Sequence, residues 1–412
     1  MTTTLRADPP AQHRWCPGPL GTYLDSFRAL LDARGYARAT EQQKLRLVST
    51  FSRWLARRRL EIGDVDEPRA TAFVRARRTR ARARRGDGAT IRILLEHLRQ
   101  SGVIAAPTVA VRPTERSRIE QAFSQYLGQE RGLARATVVN YLPEVRRFLS
   151  WRFATDALRL DAIRLPDVMR FVVRHAHAFS PRRVQLMLTA LRSFFRFLRL
   201  HGDTAIDLAS SVLSVADWRL APVPQWIPAA QVKQVLRHCD QQTGVGQRDY
   251  TIVLLLARLG LRAGEVVGMT VDDIDWEAGT LLVHGKGGRQ DRMPLPRDVG
   301  QALATYLRQG RPPGGSRRVF VCARAPRRGF TSSVAVCTIV RRALARAGLH
   351  PPSTGAHLFR HTLATEMLRR GASLAEIGEI LRHRHPDTTA IYAKVDLKAL
   401  RAVAPPWPRG AA

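Results

Sequence analysis

Six side chains in the C-terminal half of the sequence could together cleave a phosphodiester without a metal. Such a reaction needs a nucleophile, cations that hold the non-bridging oxygens as charge develops, and an acid for the leaving oxygen. Arginine suits the second role because its planar guanidinium meets two phosphate oxygens at once and stays protonated. The candidates are Arg262, Lys286, His357, Arg360, His383 and Tyr392.

Three of the candidates, Arg262, Lys286 and Tyr392, also have an ordinary structural explanation. The string Gly-Leu-Arg-Ala-Gly-Glu around Arg262 contains an arginine–glutamate pair of the kind that usually caps a helix start. His357 and Arg360 are three residues apart and so share one face of a helix. Lys286 lies in a glycine-rich turn, where lysine often serves only solubility, and Tyr392 alone would suit a half-buried core. The order and combination of these residues therefore carry the functional interpretation.

In this order, the strings resemble the tyrosine recombinases, the phage integrase family. Gly-Leu-Arg-Ala-Gly-Glu is similar to the family's first arginine box, and Gly285-Lys-Gly-Gly-Arg-Gln-Asp-Arg-Met-Pro-Leu is similar to its β-hairpin lysine. His357-Leu-Phe-Arg-His-Thr resembles the second box. His383 and Tyr392, nine residues apart, resemble the closing box. The resemblance covers roughly residues 117–402.

The resemblance implies a site-specific recombinase or integrase that acts on double-stranded DNA, with a mobile element as the expected setting. It implies that Tyr392 attacks a DNA phosphate, forms a 3′-phosphotyrosine bond and releases a 5′-hydroxyl. Arg262 and Arg360 would clamp the non-bridging oxygens. The energy of the broken bond is kept in the covalent link, so neither ATP, a metal nor any other cofactor is expected.

The resemblance also implies roles for the other three candidates. Lys286 would be the general acid toward the leaving 5′-oxygen, and His357 would assist proton transfer at the tyrosine, whose unperturbed pKa is about 10. His383 would donate a hydrogen bond to the phosphate. Strand exchange would need a homotetramer, or a mixed tetramer with partner recombinases, on two DNA sites. The segment 396–403 is expected to dock on a neighbouring protomer.

Two positions depart from the family pattern. The family usually has Leu-Gly-His where this chain has Leu381-Arg382-His383, so a bulky cation replaces a glycine beside the third catalytic position. The residue two after the tyrosine, often a histidine, is Lys394. Neither departure removes a candidate catalytic group.

The composition independently favours a nucleic-acid partner. The 412-residue chain has a formal net charge of +33 at pH 7. So many positive side chains repel one another in a compact protein, which favours a polyanionic partner that neutralises them. DNA is the first candidate. No membrane partner is expected, because no basic amphipathic helix stands out at a terminus.

The cysteines and the apolar runs indicate a cytoplasmic protein. No C-x-x-C pair occurs, which argues against a zinc ribbon or a disulfide framework and favours a reducing compartment. The first twenty residues have no apolar signal-peptide segment. The most apolar run, residues 252–257, is too short to span a bilayer. The scattered cysteines are Cys16, Cys239, Cys322 and Cys337.

Period-2 and period-3.6 apolar patterns predict the elements that must position the candidate site. Residues 280–284 and 289–295 are typical of two strands joined by the turn 285–288 into a β-hairpin. The surrounding segments favour helices, which gives a mixed α+β region. These predicted helices are 230–239, 248–259, 298–308, 332–347, 357–370, 374–382 and a last piece from 388 that carries Tyr392.

The N-terminal half carries a tandem repeat. Arg34-Gly-Tyr-Ala-Arg-Ala-Thr40 matches Arg131-Gly-Leu-Ala-Arg-Ala-Thr137, 97 residues later. Both copies have apolar residues at helical spacing, which predicts two copies of one small all-helical unit. Aromatic residues also correspond, at this offset or within one residue of it: Phe51 with Phe148, Trp54 with Trp151, and Phe73 with Phe171.

The predicted fold is therefore mainly α with a small β component. Two tandem all-helical SAM-like DNA-binding units precede a mixed α+β tyrosine-recombinase catalytic domain. The predicted boundaries are a flexible tail at 1–18, an N-terminal helical DNA-binding unit at 19–104, a linker at 105–116, a core-binding helical domain at 117–212, a linker at 213–229, the catalytic domain at 230–403 and a tail at 404–412.

Arginines outside the apolar stripes are candidates for contacts with DNA phosphates. The run 75–85 of the first unit has seven arginines in eleven residues. A solvated helix or loop face explains such a run about as well as a phosphate contact does. The candidates in the second unit are Arg135, Arg146, Arg182, Arg183 and Arg192.

Three other functional classes remain open. A DNA-binding protein of recombinase fold without cleavage activity is one, for which Arg382 is the sequence's hint. A type IB topoisomerase shares the chemistry, although the repeated helical units and integrase-like boxes favour recombination. A metal-dependent nuclease is the third, because His357 and His361 are four apart on a helix, with His383 and His385 further along the chain. No H-E-x-x-H or paired-carboxylate pattern accompanies these histidines, so no metal site is expected.

Overall fold

The computed structural model describes residues 18–79, 84, 86–105, 114–154, 157–212, 223–285 and 287–395. Val109–Pro222 forms one compact unit, and Met1–Thr108 with Val223–Ala412 forms the other. None of the described helices is long and apolar enough to cross a membrane. The sequence-based predictions that fall in whole or in part outside the described residues concern the tail 1–18, the linkers 105–116 and 213–229, the basic run 75–85, Lys286, the segment 396–403 and the tail 404–412.

The first helical bundle consists of four helices, each close to a segment with helical apolar spacing. They are α1 (Leu24–Ala33), α2 (Arg38–Arg57), α3 (Glu67–Thr79) and α4 (Asp87–Gln100). Their inward side chains form one apolar core, which the burial of large side chains stabilises. The most buried of these side chains include Leu20, Phe27, Leu31, Phe51, Leu55, Phe73, Leu94 and Leu98.

The second helical bundle has the same number of helices. They are α5 (Glu115–Gln125), α6 (Arg135–Phe153), α7 (Leu165–Ala176) and α8 (Pro181–Leu200). The Thr114 side chain caps α5 by accepting a hydrogen bond from the Ser117 N–H, and Pro181 begins α8. Both are favoured at helix starts, where backbone N–H groups have no partner within the helix.

The predicted repeat is confirmed inside each bundle by a matching cluster of three aromatic rings. The cluster is Phe51, Trp54 and Phe73 in the first bundle and Phe148, Trp151 and Phe171 in the second. In the first bundle the ring centroids are 6.0 Å apart for Phe51 and Trp54, 4.7 Å for Phe51 and Phe73, and 5.8 Å for Trp54 and Phe73. The corresponding distances in the second are 6.3, 5.2 and 5.5 Å. The two bundles therefore place the same three residue types at similar distances in their cores.

The remaining elements form a mixed region around one buried helix. A three-stranded antiparallel sheet has the order β1 (Ile274–Asp275), β2 (Thr280–His284) and β3 (Gln290–Pro294), with Leu281 opposite Met293. The hairpin of β2 and β3 confirms the predicted strands, whereas β1 was not predicted. The helices are α9 (Ala229–Arg237), α10 (Gly244–Leu259), α11 (Ala263–Gly268), α12 (Arg297–Thr305), α13 (Ser333–Arg346), α14 (His357–Arg369), α15 (Leu374–Ile380) and α16 (Asp387–Ala390).

The end of α10 is held close to two later segments. Gly260 ends the helix in a left-handed conformation, with a φ of +57°. A Cβ at this position would lie 2.7 Å from Leu381 Cδ2 and 3.1 Å from Leu363 Cδ2. Glycine is therefore favoured here for two reasons. It adopts this φ without steric strain, and it leaves room for the two leucine side chains.

We expect Gly260→Ala to destabilise the protein by about 1–3 kcal/mol, through left-handed strain and the leucine contacts. Chemical denaturation followed by circular dichroism would measure the change. Gly264→Ala is the matched control, because the position is helical and, among the described residues outside that helix, no atom lies within 4 Å of a Cβ there. The control should be neutral or slightly stabilising. Equal unfolding midpoints for the two variants would contradict the close packing at Gly260.

Candidate active site

Arg262 lies at the N-cap of α11, directly after the turn at Gly260. Its backbone N–H donates to Glu265 Oε2 and its Nη1 donates to Glu265 Oε1, both at 2.8 Å. Glu265 thus satisfies a backbone donor that the helix start leaves open. The Arg262 side chain is 32% exposed and that of Glu265 only 3%. The guanidinium is therefore anchored on its buried side and open to solvent on the other.

Arg360 lies in the first turn of α14 and is buried. Its Nη1 donates to the carbonyl of Gly260 and its Nη2 donates to the carbonyl of Leu381. Burial, with the nearby charges of Arg262 and Arg382, lowers the pKa of Arg360 to about 10. The side chain therefore stays protonated at neutral pH and is a fixed positive charge beneath the site.

Tyr392 lies in the 3-10 turn Ile391–Val395 and is only 1% exposed. Its hydroxyl is 2.9 Å from His361 Nδ1, within hydrogen-bond distance. Its ring lies parallel to the His383 imidazole, with centroids 6.5 Å apart. His383 Nδ1 is in turn 2.7 Å from Thr389 Oγ1, which fixes the orientation of that imidazole. The tyrosine hydroxyl is thus hidden from solvent and hydrogen-bonded to a histidine.

The protonation states of the tyrosine and the two histidines follow from burial. Burial raises the pKa of Tyr392 to about 12, although the charges of Arg360 and Arg262 oppose the rise. Burial, followed by neighbouring positive charges, lowers the pKa of His361 to about 4 and that of His383 to about 4. At neutral pH the phenol keeps its proton and both imidazoles are uncharged. A neutral imidazole with its proton on Nε2 accepts the tyrosine O–H at Nδ1.

Arg382 occupies the position where the recombinase pattern has glycine. It follows α15 with a φ of +56°. Its N–H donates to the Glu379 carbonyl (2.9 Å), and the His383 N–H donates to the Gly378 carbonyl (2.8 Å), which is the bond pair of a Schellman motif. A left-handed residue with a Cβ costs about 1 kcal/mol. Both hydrogen bonds of the helix cap beside His383 are nevertheless formed.

The structure brings together four of the six predicted catalytic residues and adds one. Arg262 and Arg360 lie close enough to affect the pKa of Tyr392, and the His383 ring stacks on the tyrosine. His357 lies one turn before His361, with ring centroids 6.1 Å apart, while Lys286 is outside the described residues. The histidine at the tyrosine hydroxyl is His361, which was considered only as part of a metal cluster. Its spacing of four from His357 was the available signal.

The histidines do not form a metal cluster in the described part of the chain. No group of three or more His, Cys, Asp or Glu side chains is placed there to hold a metal ion. His361 faces the tyrosine hydroxyl, whereas His385 is exposed.

The arginines predicted to contact DNA have different surroundings. Arg146 forms an ion pair with Glu120, and Arg183 forms one with the buried Glu144, both at 2.6 Å. Arg135 and Arg182 are exposed near the starts of α6 and α8, and Arg192 is half-buried on α8. Ion pairing reduces the charge that an arginine offers to a phosphate, so the exposed helix starts are the stronger candidates.

We expect the protein to lose stability as the pH falls from about 6.5 toward 4. Between the unfolded histidine pKa of about 6.5 and the folded value of about 4 for His361 and His383, the unfolded chain binds more protons. The stabilisation is therefore complete above pH 6.5 and is lost below it. Urea unfolding midpoints measured between pH 7 and 4.5 would show the fall.

His361→Gln should flatten this pH dependence, because glutamine keeps a polar contact with the tyrosine but does not titrate. His385→Gln is the control, since His385 is exposed, and it should follow the wild type. A His361→Gln profile as steep as that of the wild type would contradict the burial of a neutral imidazole at this position.

Models of two recombinase domains match the chain. The model "Phage integrase family" matches residues 225–398, which include the whole candidate site. The model "Phage integrase, N-terminal SAM-like domain" matches residues 121–202, which include the second helical bundle from α6 to α8. The first helical bundle lies outside both matches.

Known proteins are similar to this chain over most of its length. The integrase/recombinase y4rA of Sinorhizobium fredii (strain NBRC 101917 / NGR234) is 44% identical over 392 residues, 95% of each chain. Tyrosine recombinase XerD of Mycobacterium tuberculosis (strain CDC 1551 / Oshkosh) is 30% identical over 306 residues, 69% of this chain and 94% of the relative.

A solved structure shows the same fold. The XerH site-specific recombinase bound to a palindromic difH substrate, in a post-cleavage complex, is 17% identical with a TM-score of 0.55. The likeness covers 73% of this chain and 98% of that one. Together with the two family models and the long relatives, the order of the arginines, histidines and buried tyrosine leads to one conclusion. This chain belongs to the phage integrase family, the tyrosine-type site-specific DNA recombinases.

Proposed function

We propose that this chain cuts and rejoins double-stranded DNA at specific sites through a 3′-phosphotyrosine bond to Tyr392. One observation carries the proposal: the Tyr392 hydroxyl lies 2.9 Å from a neutral imidazole, that of His361, beside two arginines. A buried tyrosine with a raised pKa is a poor nucleophile unless a base removes its proton. A hydrogen-bonded neutral imidazole is the group that can do so.

In the cleavage step, the Tyr392 oxygen attacks phosphorus while its proton moves to Nδ1 of His361. The imidazolium that forms is unfavourable in the DNA-free site, because the pKa of His361 there is about 4. A bound phosphate supplies negative charge nearby and so makes the proton transfer easier. We assign His357 an auxiliary part in this transfer, since it lies one turn before His361 on α14.

The charge that develops on the phosphate is met by cations. Arg262 is the more accessible of the two arginines, whereas Arg360 is buried. We assign both to the non-bridging oxygens and assign a hydrogen bond to His383. Lys286 would protonate the leaving 5′-oxygen from the tip of the hairpin that β2 and β3 form. The reverse reaction, with a 5′-hydroxyl of another strand as the attacking group, would rejoin the DNA.

Reaction requires the buried Tyr392 hydroxyl to become accessible to DNA. At 1% exposure, the side chain cannot be reached by a phosphate of a duplex. The turn Ile391–Val395 follows the four-residue helix α16 and packs on α14. We infer that this short segment shifts when DNA binds, which would open the hydroxyl and Arg360 to the phosphate while the hydroxyl stays within reach of His361.

Strand exchange at two duplexes needs four tyrosines, so we propose that the active assembly is a tetramer on two DNA sites. It would consist of this chain alone or of this chain with partner recombinases. The name of the long relative y4rA, an integrase/recombinase, favours a mobile element as the setting. The solved XerH relative, bound to its difH substrate, supports DNA as the partner of this chain.

We propose that the first helical bundle also contacts DNA. It packs the same aromatic cluster as the second bundle, which lies within the family's SAM-like domain match. A groove between α1 and α2 is lined by Arg28, Arg46 and Arg53. Arg28 is paired with Glu41, whereas Arg46 and Arg53 are exposed on one face of α2, two helical turns apart. These two arginines are the best candidates for phosphate contacts in this bundle.

A nicked suicide duplex that carries the recombination site should trap the wild-type protein covalently on DNA. On such a substrate the short 5′-hydroxyl fragment diffuses away, so rejoining is blocked. Tyr392→Phe should give no covalent product, because the attacking oxygen is missing. Denaturing gel electrophoresis with labelled DNA would measure the yield. Tyr250→Phe is the matched control, since Tyr250 is a half-buried tyrosine on α10, and it should retain the full yield.

The same experiment separates the rival functions. Covalent product with Tyr392→Phe would show that another residue is the nucleophile. Specific binding by the wild type without any covalent product would favour a DNA-binding protein that does not cleave. Loss of all cleavage in EDTA would favour a metal-dependent nuclease. Relaxation of supercoiled DNA without exchange between two sites would favour a topoisomerase.

DNA affinity should fall steeply with salt, because a protein of net charge +33 displaces many counterions from the duplex. If Arg46 and Arg53 each contact one phosphate, the double variant Arg46→Gln/Arg53→Gln should reduce the slope of log Kobs against log salt by about 2. Fluorescence anisotropy between low and moderate salt would measure the slope. An unchanged slope would remove the first bundle from the DNA interface, and a flat wild-type affinity would contradict phosphate binding altogether.

A further inference from the structure

Several features of Arg382 do not favour the stability of the fold. Its side chain is 5% exposed and its backbone has a left-handed φ of +56°. Its buried Nε has no hydrogen-bond partner among the described residues. A strained backbone and a desolvated, incompletely bonded cation are both unfavourable for folding. Glycine would fit the same helix cap without either cost.

The guanidinium of Arg382 reaches two elements of the candidate active site. Its Nη2 donates to Glu265 Oε2 at 2.9 Å, across 117 residues of sequence. Its Nη1 contacts the sulfur of Met293, in strand β3 of the hairpin. The charged contact is therefore with Glu265, and the thioether is only a weak acceptor.

Glu265 is shared between two arginines. It accepts the Arg262 N–H and Arg262 Nη1 at 2.8 Å each, together with the bond from Arg382. Burial alone would raise the pKa of Glu265, but these hydrogen bonds and the two guanidinium charges lower it, so the carboxylate is ionised. All three bonds converge on one side chain that is 3% exposed. The orientation of the Arg262 guanidinium depends on that carboxylate.

Arg382 changes the net charge of the cluster that contains Arg262 and Glu265. Arg262 and Glu265 alone form an ion pair of zero net charge, which would attract a phosphate only weakly. With Arg382 the three side chains together have a net charge of +1. Arg360 is also close, since the charges of Arg262 and Arg382 contribute to lowering its pKa. The Glu265 charge is then offset on the buried side, away from the exposed part of Arg262.

We infer, on the basis of the proposed function, that Arg382 is a positioning residue for DNA cleavage: its guanidinium offsets the Glu265 carboxylate, so that Arg262 keeps its orientation and its positive charge for the scissile phosphate. Arg382 does not touch the DNA in this arrangement. Its effect passes through Glu265 to Arg262. The arginine that departs from the recombinase pattern is then part of how this chain holds the phosphate.

The test is the single-turnover rate of covalent attachment to the nicked suicide duplex, at saturating protein, with DNA affinity measured separately. Arg382→Gly preserves the left-handed cap and removes the guanidinium, and we expect a rate about 10- to 100-fold lower, because misplaced binding groups cost factors of this size. DNA affinity should be unchanged. Arg382→Asn also tolerates the left-handed conformation and should behave as Arg382→Gly does. Arg382→Lys keeps a cation near Glu265 and should recover part of the rate.

Two measurements separate positioning from a merely structural role. A methylphosphonate at the scissile position replaces a charged oxygen by a methyl group, so less negative charge must be neutralised. The rate difference between wild type and Arg382→Gly should shrink on this substrate, whereas a folding defect would persist on both. In Glu265→Gln protein the carboxylate charge is already absent, so adding Arg382→Gly should cost less than it does in the wild type.

Arg384→Gly is the matched control, because it removes the same charge from the same loop at an exposed position. It should leave the rate at saturating protein unchanged. A wild-type rate in Arg382→Gly would overturn the inference, and so would additive effects of Arg382→Gly and Glu265→Gln or an equally slow Arg384→Gly. If the wild type itself forms no covalent product, the proposed cleavage function fails, which is a different result from any of these.

Discussion

The buried guanidinium of Arg360 joins the parts of the site. It donates to the carbonyls of Gly260 and Leu381, which are 100 and 21 residues away in sequence. These bonds hold the end of α10, the start of α14 and the end of α15 together, and they give the buried guanidinium two acceptors. The absence of a Cβ at Gly260 allows this approach. Arg262, two residues later, owes its position to the same junction.

A second constraint acts on Tyr392, the proposed nucleophile. Tyr392 is buried among Ala364, Ile377 and Leu381, and its hydroxyl is paired with an imidazole that burial keeps neutral. The phenol is thus protonated and shielded while no phosphate is present. In the proposed reaction a bound phosphate places negative charge near His361 and so favours the imidazolium that forms as the tyrosine proton is transferred. The same groups that make the site inert without DNA can therefore become reactive with it.

The sequence was informative where local pattern decides structure. Alternating apolar residues predicted strands β2 and β3, and the repeated string at residues 34–40 predicted two similar bundles. It was less informative where distant segments meet. The pairing of His361 with Tyr392 depends on how α14 packs against a later turn, and the two-residue strand β1 is too short to leave a pattern. Arg382 was visible as a departure, but its partner Glu265 lies 117 residues away and could not be read from spacing.

Peptide mapping of the covalent protein–DNA product would test the identity of the nucleophile most directly. After nuclease digestion and trypsin, the peptide His-Pro-Asp-Thr-Thr-Ala-Ile-Tyr-Ala-Lys, residues 385–394, should carry a nucleotide on its tyrosine. Fragmentation should locate the adduct at Tyr392 with a 3′-phosphate linkage, and the released strand should end in a 5′-hydroxyl. An adduct on another residue, or a 5′-phosphate linkage, would contradict the proposed reaction.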